Sequence, residues 1–164
     1  MPAISNSSPL IRFARAERLE LLRELFGSIV VPPAVWEEVV VTGAGLPDAE
    51  AVAMAGWIER ADLPTPLPRI RALERLGLGE AETIWLALQR STTEPVLLDD
   101  YAARREALRR ALNVRGSAGV LLMAKAGGLI PAVKPELDRL RSVGLYLSPM
   151  IEQTILQRAG EGRA

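Results

Sequence analysis

The chain has no cysteine and no histidine. The first absence excludes disulfides, thiol nucleophiles and zinc–thiolate sites. The second excludes Ser-His-Asp triads, HExxH zinc sites and histidine acid–base chemistry. Charge of either sign is not in excess, with 20 basic and 20 acidic residues. Any attraction to nucleic acid must therefore come from a local patch. No apolar run approaches the ~18 residues of a membrane span. Met1 to Phe13 lacks a basic stretch followed by a long apolar one, so no signal peptide is expected. The expectation is a soluble, cytoplasmic protein whose chemistry must use carboxylates, hydroxyls, Lys, Arg, Tyr and a hard metal.

What is present is a large apolar fraction, 49% of 164 residues, enough for one ordinary domain with a real core. A single domain over residues 1–158 is expected, with residues 159–164 fraying. Short apolar runs bounded by Gly and Pro read as buried strands: Ala3 to Ser5, Ser28 to Val31 and Val96 to Leu98, with Asn113 to Arg115 as a further core strand and Trp57 to Arg60 as an edge strand. Between them lie helical patterns. Ser7-Ser8-Pro9 reads as a helix start, with a serine hydroxyl as cap. Leu19 to Phe26 is amphipathic and stopped by Gly27. Pro33 opens a helix carrying Val35 to Val40. Later helices are expected over Ala49–Ala55, Arg69–Leu76, Glu80–Gln89, Ala102–Leu112, Ala118–Ala126, Lys134–Val143 and Ser148–Arg158. Leu63 to Pro68, with three prolines, is an extended linker. Alternation of short apolar strands with helices predicts a parallel sheet covered on both faces.

In open parallel sheets, sites form beyond the carboxyl ends of the strands. Those ends are polar here. The first strand runs into Asn6-Ser7-Ser8. The second runs into Pro32-Pro33, with Glu38 about one and a half helical turns on. The Val96 strand runs into Asp99-Asp100, and the Val114 strand into Gly116-Ser117. Glu80 opens a helix whose start faces the same edge. Acids sharing one cleft repel each other unless a cation neutralises them. Oxygen ligands without His or Cys suit Mg²⁺ or Mn²⁺ better than zinc.

Each feature also has a plainer reading. Asn6-Ser7-Ser8 ends a strand and caps a helix. Glu38 alone is an exposed helical residue. Glu80 and Glu82 suit a helix dipole. Asp99-Asp100 is the strongest single signal, although one of the pair can cap the next helix. The arginines of Ala102–Leu112 form either a phosphate-steering strip or a solvated face with Glu106 as ion partner. Arg104, one turn after the acids, can balance their charge. Trp36, Trp57 and Trp85 fit packing better than base stacking.

Five segments in order carry a resemblance that spans nearly the whole chain: Ile4 to Ile11, Val31 to Val39, Leu78 to Ile84, Leu97 to Asp100 followed by Arg104, and Gly116 to Leu122. Together the chain resembles the PIN-domain superfamily, which includes VapC-type toxin ribonucleases, and more closely a bacterial and archaeal branch of it. The resemblance implies a three-layer α/β/α fold with a central parallel sheet. It implies Mg²⁺- or Mn²⁺-dependent cleavage of single-stranded RNA, with metal ligands at Glu38, Glu80 and Asp99 or Asp100. Asn6 stands where the family has its first acid. Ser117 supplies the hydroxyl near the fourth motif, and Ser8 the hydroxyl two positions after the first acid. Ser8 and Arg104 are the implied substrate contacts. A homodimer is a common state of look-alikes, and a small antitoxin protein is the implied partner of a toxin–antitoxin pair. The neutral Asn6 leaves two readings, an active ribonuclease or a catalytically degenerate module that binds RNA or protein.

Overall fold

Five three-residue strands make the sheet: β1 (Ala3–Ser5), β2 (Ile29–Val31), β3 (Ile58–Arg60), β4 (Pro95–Leu97) and β5 (Asn113–Arg115). All neighbours pair in parallel, in the order β3-β2-β1-β4-β5. The computed structural model describes residues 1–162. The helices are α1 (Ser7–Arg15), α2 (Leu19–Phe26), α3 (Pro33–Trp36), α4 (Pro47–Met54), α5 (Arg71–Glu74), α6 (Leu78–Arg90), α7 (Tyr101–Arg109), α8 (Ser117–Ala126), α9 (Val133–Ser142) and α10 (Pro149–Arg158). Helix α3 runs directly into a π-helical turn, Glu37–Thr42.

The central strands read as continuous apolar runs because both their faces are buried. Side chains alternate between faces with a period of two. Ala3, Ile29, Val31 and Leu97 join one core with Leu10, Phe13, Leu22, Val35, Leu121 and Leu137. Ile4, Val30 and Val96 join the other with Leu73, Ile84, Leu86, Ala103 and Ala107. Helices α1, α2, α8 and α9 thus cover one face and α5, α6 and α7 the opposite one, giving three layers. Each fully buried Leu or Phe contributes about 1.5–3 kcal/mol, and truncating central Leu97 to Ala would cost about 2–5 kcal/mol.

The first three strands are laid down outward from β1, and the last two on its other side. Strand order therefore reverses between β1 and β4, and the carboxyl ends of such a pair flank a crevice. The register there is tight: Ser5 pairs with Leu97, and Asn6 N–H donates to the Leu97 carbonyl at 3.1 Å.

Several local expectations change. Helix α1 begins at Ser7, with Asn6 in the cap position and no side-chain cap. Pro9 is tolerated there because N–H groups of a first turn lack helical partners. The helix expected over Arg69–Leu76 contracts to α5, since Ile70 stays extended while its side chain packs on the second core. The strand expected in the core over Asn113–Arg115 lies at a sheet edge, with only Val114 buried. The fraying expected from residue 159 does not begin there. The Glu161 carboxylate accepts from Val133 N–H at 2.7 Å, Lys134 N–H at 3.1 Å and Lys125 Nζ at 2.9 Å. Residues 163 and 164 lie outside the described residues.

Candidate metal centre

Residues from four elements meet at the carboxyl edge where strand order reverses. Asn6 follows β1 directly and is buried, 4% exposed. Its amide does not cap α1. Its Oδ1 instead faces Gly79 in the first turn of α6. A Cβ placed on Gly79 would lie 3.3 Å from Asn6 Oδ1, 3.3 Å from Val35 Cγ2 and 3.5 Å from Glu38 Oε2. A side chain at position 79 would therefore crowd the space shared by these two oxygens.

Glu38 reaches this place through the π-helical turn, a form enriched at functional sites. It is exposed, and Ser7 Oγ donates to its Oε2 at 2.8 Å. The serine expected to cap α1 thus orients Glu38. Glu82, expected to serve the dipole of α6, accepts from the backbone N–H of Ala34 at 2.7 Å. That bond fixes the start of α3 to α6, and so sets Glu38 beside Glu80.

Glu80 accepts from the Gly77 N–H at 3.2 Å. Burial, and then the negative charge of Asp100, raise its carboxyl above the ordinary range; the Gly77 bond opposes this, and Glu38 adds to it. The Glu80 carboxylate is thus close enough to sense both Asp100 and Glu38. Asp100 caps α7 through Ala103 N–H at 2.9 Å and is otherwise exposed.

Asp99 is placed differently. Its Oδ1 accepts from Ser117 N–H at 2.7 Å, while its Oδ2 accepts from Ser117 Oγ at 2.5 Å and from Arg12 at 2.9 Å. Ser117 is buried, 1% exposed, and opens α8. Arg12 also donates to the Gly144 carbonyl at 3.4 Å. Arg104 donates to the Leu98 carbonyl at 3.1 Å, and a Cβ on Gly116 would collide with its guanidinium. Arg104 therefore braces the chain around Asp99 through backbone contacts. Ser8, Arg12, Arg104, Glu80, Asp99 and Asp100 all border one groove of about 860 Å³.

The chain matches the sequence model of the PIN-domain family over residues 2–161. It belongs to that family. The fold of this PIN domain is similar to that of a PilT N-terminus domain protein from Sulfolobus solfataricus, with a TM-score of 0.51 and 13% identity over 73% of this chain and 90% of that one. Comparison with curated proteins gives no match.

The PIN domain thus brings Asn6, Glu38, Glu80 and Asp100 to one edge and sets Asp99 with Ser117 beside them. Among the described residues, no three carboxylates are gathered closely enough to enclose an ion. The donor chemistry fits a hard divalent cation, because every available donor is oxygen. The lack of a side chain at Gly79 fits as well, because Asn6 Oδ1 and Glu38 Oε2 both face the place its Cβ would take. Sequence reasoning missed Ser7, Arg12, Gly79, Glu82 and Gly116. Gly79 and Gly116 stand beside Glu80 and Ser117 in segments that already carried the resemblance. Arg12 gave no signal, since its partner lies 87 positions away.

Proposed function

We propose that this PIN domain is a divalent-metal-dependent endoribonuclease acting on single-stranded RNA. The observation that carries the reading is the meeting of Asn6 Oδ1 and Glu38 Oε2 over Gly79 at the switch-point edge, beside a Glu80 carboxyl that burial, and then the charge of Asp100, raise. Glu38, Glu80 and Asp100, whose carboxylates would have to draw together around it, would hold Mg²⁺ or Mn²⁺, with Asn6 Oδ1 as a neutral oxygen beside them. Such an ion, when bound, supplies an activated water and neutralises phosphate charge. Asp99 holds Ser117 in place and keeps Arg12 at the border of the groove. Ser8 and Arg104, which border the same groove, would meet the substrate backbone. The toxin role, the small antitoxin partner, the homodimer and the cytoplasmic setting are supported by family resemblance alone. A small antitoxin-like reading frame beside the gene would strengthen them.

The neutral Asn6 favours a second reading, a degenerate module that binds RNA or protein without cutting. Cleavage of labelled, unstructured RNAs in Mn²⁺ separates the two. Wild type is expected to cut, and Glu80→Gln and Asp100→Asn to lose about 100-fold or more, at the upper end of losses seen on disturbing a metal centre. Wild-type protein inert at millimolar Mn²⁺ on diverse RNAs would sink the nuclease reading and leave the second.

A further inference from the structure

The chain contains two tyrosines, and both line the groove that borders the acidic edge. Both are held in water, Tyr101 73% and Tyr146 82% exposed. Tyr101 follows Asp100 directly and opens α7. The Arg105 guanidinium lies 5.6 Å from its ring centroid, one helical turn on, which steadies the ring without burying it. Tyr146 lies in the connection between α9 and α10. Its neighbour Leu145 is buried, and the Gly144 carbonyl accepts from Arg12, which in turn pairs with Asp99. The backbone that carries each tyrosine is thus tied to the acids by short chains of contacts.

The charge of the lining suits a polyanion. Arg12, Arg104, Arg115 and Arg158 line the groove against Glu80, Asp99 and Asp100, and Asp99 is already paired with Arg12. Exposed aromatic faces beside a row of arginines are the combination that holds unpaired nucleotides: stacking takes the bases, and guanidinium groups take the phosphates. A duplex, whose bases are stacked on one another, offers no free base face to the rings.

We propose that Tyr101 and Tyr146 are base-stacking platforms for single-stranded RNA lying along this groove, so that the nucleotides they hold flank the acidic edge. The proposal rests on the ribonuclease reading and names the residues that select unpaired substrate.

The test is fluorescence anisotropy with a labelled, unstructured RNA dodecamer in metal-free buffer, where nothing is cut. Tyr101→Ala and Tyr146→Ala are each expected to weaken binding about tenfold, while the Phe variants keep wild-type affinity. Binding of an abasic oligomer of the same length is expected to be equally weak for wild type and Ala variants. Mn²⁺ affinity by calorimetry is expected to be unmoved, which excludes a general loss of fold. Unchanged RNA binding in both Ala variants overturns the proposal. So does an equal loss on the abasic oligomer, a blunt duplex bound as tightly as the single strand, or no RNA binding by wild type. Tyrosine-dependent binding without cleavage in Mn²⁺ removes the nuclease reading and keeps this one; cleavage with tyrosine-insensitive binding does the reverse.

Discussion

The two ends of the acidic edge treat negative charge in opposite ways. At one end, Asp99 is satisfied by the protein: Ser117 donates from its backbone and its hydroxyl, and Arg12 supplies a full positive charge. At the other, Glu38, Glu80 and Asp100 have no cationic partner among the described residues, and the Glu80 carboxyl is raised by burial and by its neighbours' charge. The fold thus carries its own counter-ion for the acid that braces the sheet edge. It supplies no such partner, among the described residues, for Glu38, Glu80 and Asp100. Adjacent acids in sequence, Asp99 and Asp100, fall on opposite sides of this division.

Three measurements test the contrast. The largest effect is expected at Asp99. Asp99→Ala leaves Arg12 and the Ser117 N–H without their acceptor, and urea denaturation should show a loss of about 2–3 kcal/mol. Unchanged stability would mean that the Arg12 pair contributes nothing and that the two ends do not differ.

A smaller effect is expected at Asn6. Asn6→Asp adds a carboxylate to the unneutralised end, and cation affinity rises with ligand charge. Calorimetry should show Mn²⁺ binding tightened roughly tenfold, with stability lowered when no divalent ion is present. Equal Mn²⁺ binding in the two proteins would remove Asn6 from the site.

The smallest effect is a pH dependence. Glu80 holds its proton more tightly in the folded chain than in the unfolded one. Below the ordinary Glu range both states are protonated and the residue is neutral to stability. As pH rises through that range the unfolded chain releases its proton first, so stability falls until folded Glu80 also ionises. Glu80→Gln should therefore gain stability relative to wild type as pH rises across this window, then level off. Saturating Mn²⁺ should reverse the gain, because an ion bound only to the folded state stabilises it. A flat difference across pH would contradict the repulsion at this end.

The fold was legible in the sequence because its central strands are continuous apolar runs closed by Gly, Pro or paired acids, a local pattern. The placement of Asn6, Glu80, Asp99 and Asp100 at one edge was legible too, because each follows a strand or opens a helix. What escaped were the partners. Ser7 bonds Glu38 across 31 positions, Glu82 bonds Ala34 across 48, and Arg12 bonds Asp99 across 87. Such pairings depend on how helices are rotated against the sheet, and no local spacing encodes that. The split between Asp99 and Asp100 was hidden for the same reason: both are acids after a strand, and only Arg12 and Ser117 tell them apart.

The reversal of strand order also sets when the edge comes into being. Ile4 pairs with Val30 within the first stretch of chain but with Val96 only ninety-two positions later. On a ribosome, Asn6 and Glu38 are therefore made long before Asp100 can join them, and contacts so far apart close slowly. In a nascent chain the edge stays incomplete until β4 has slid in beside β1.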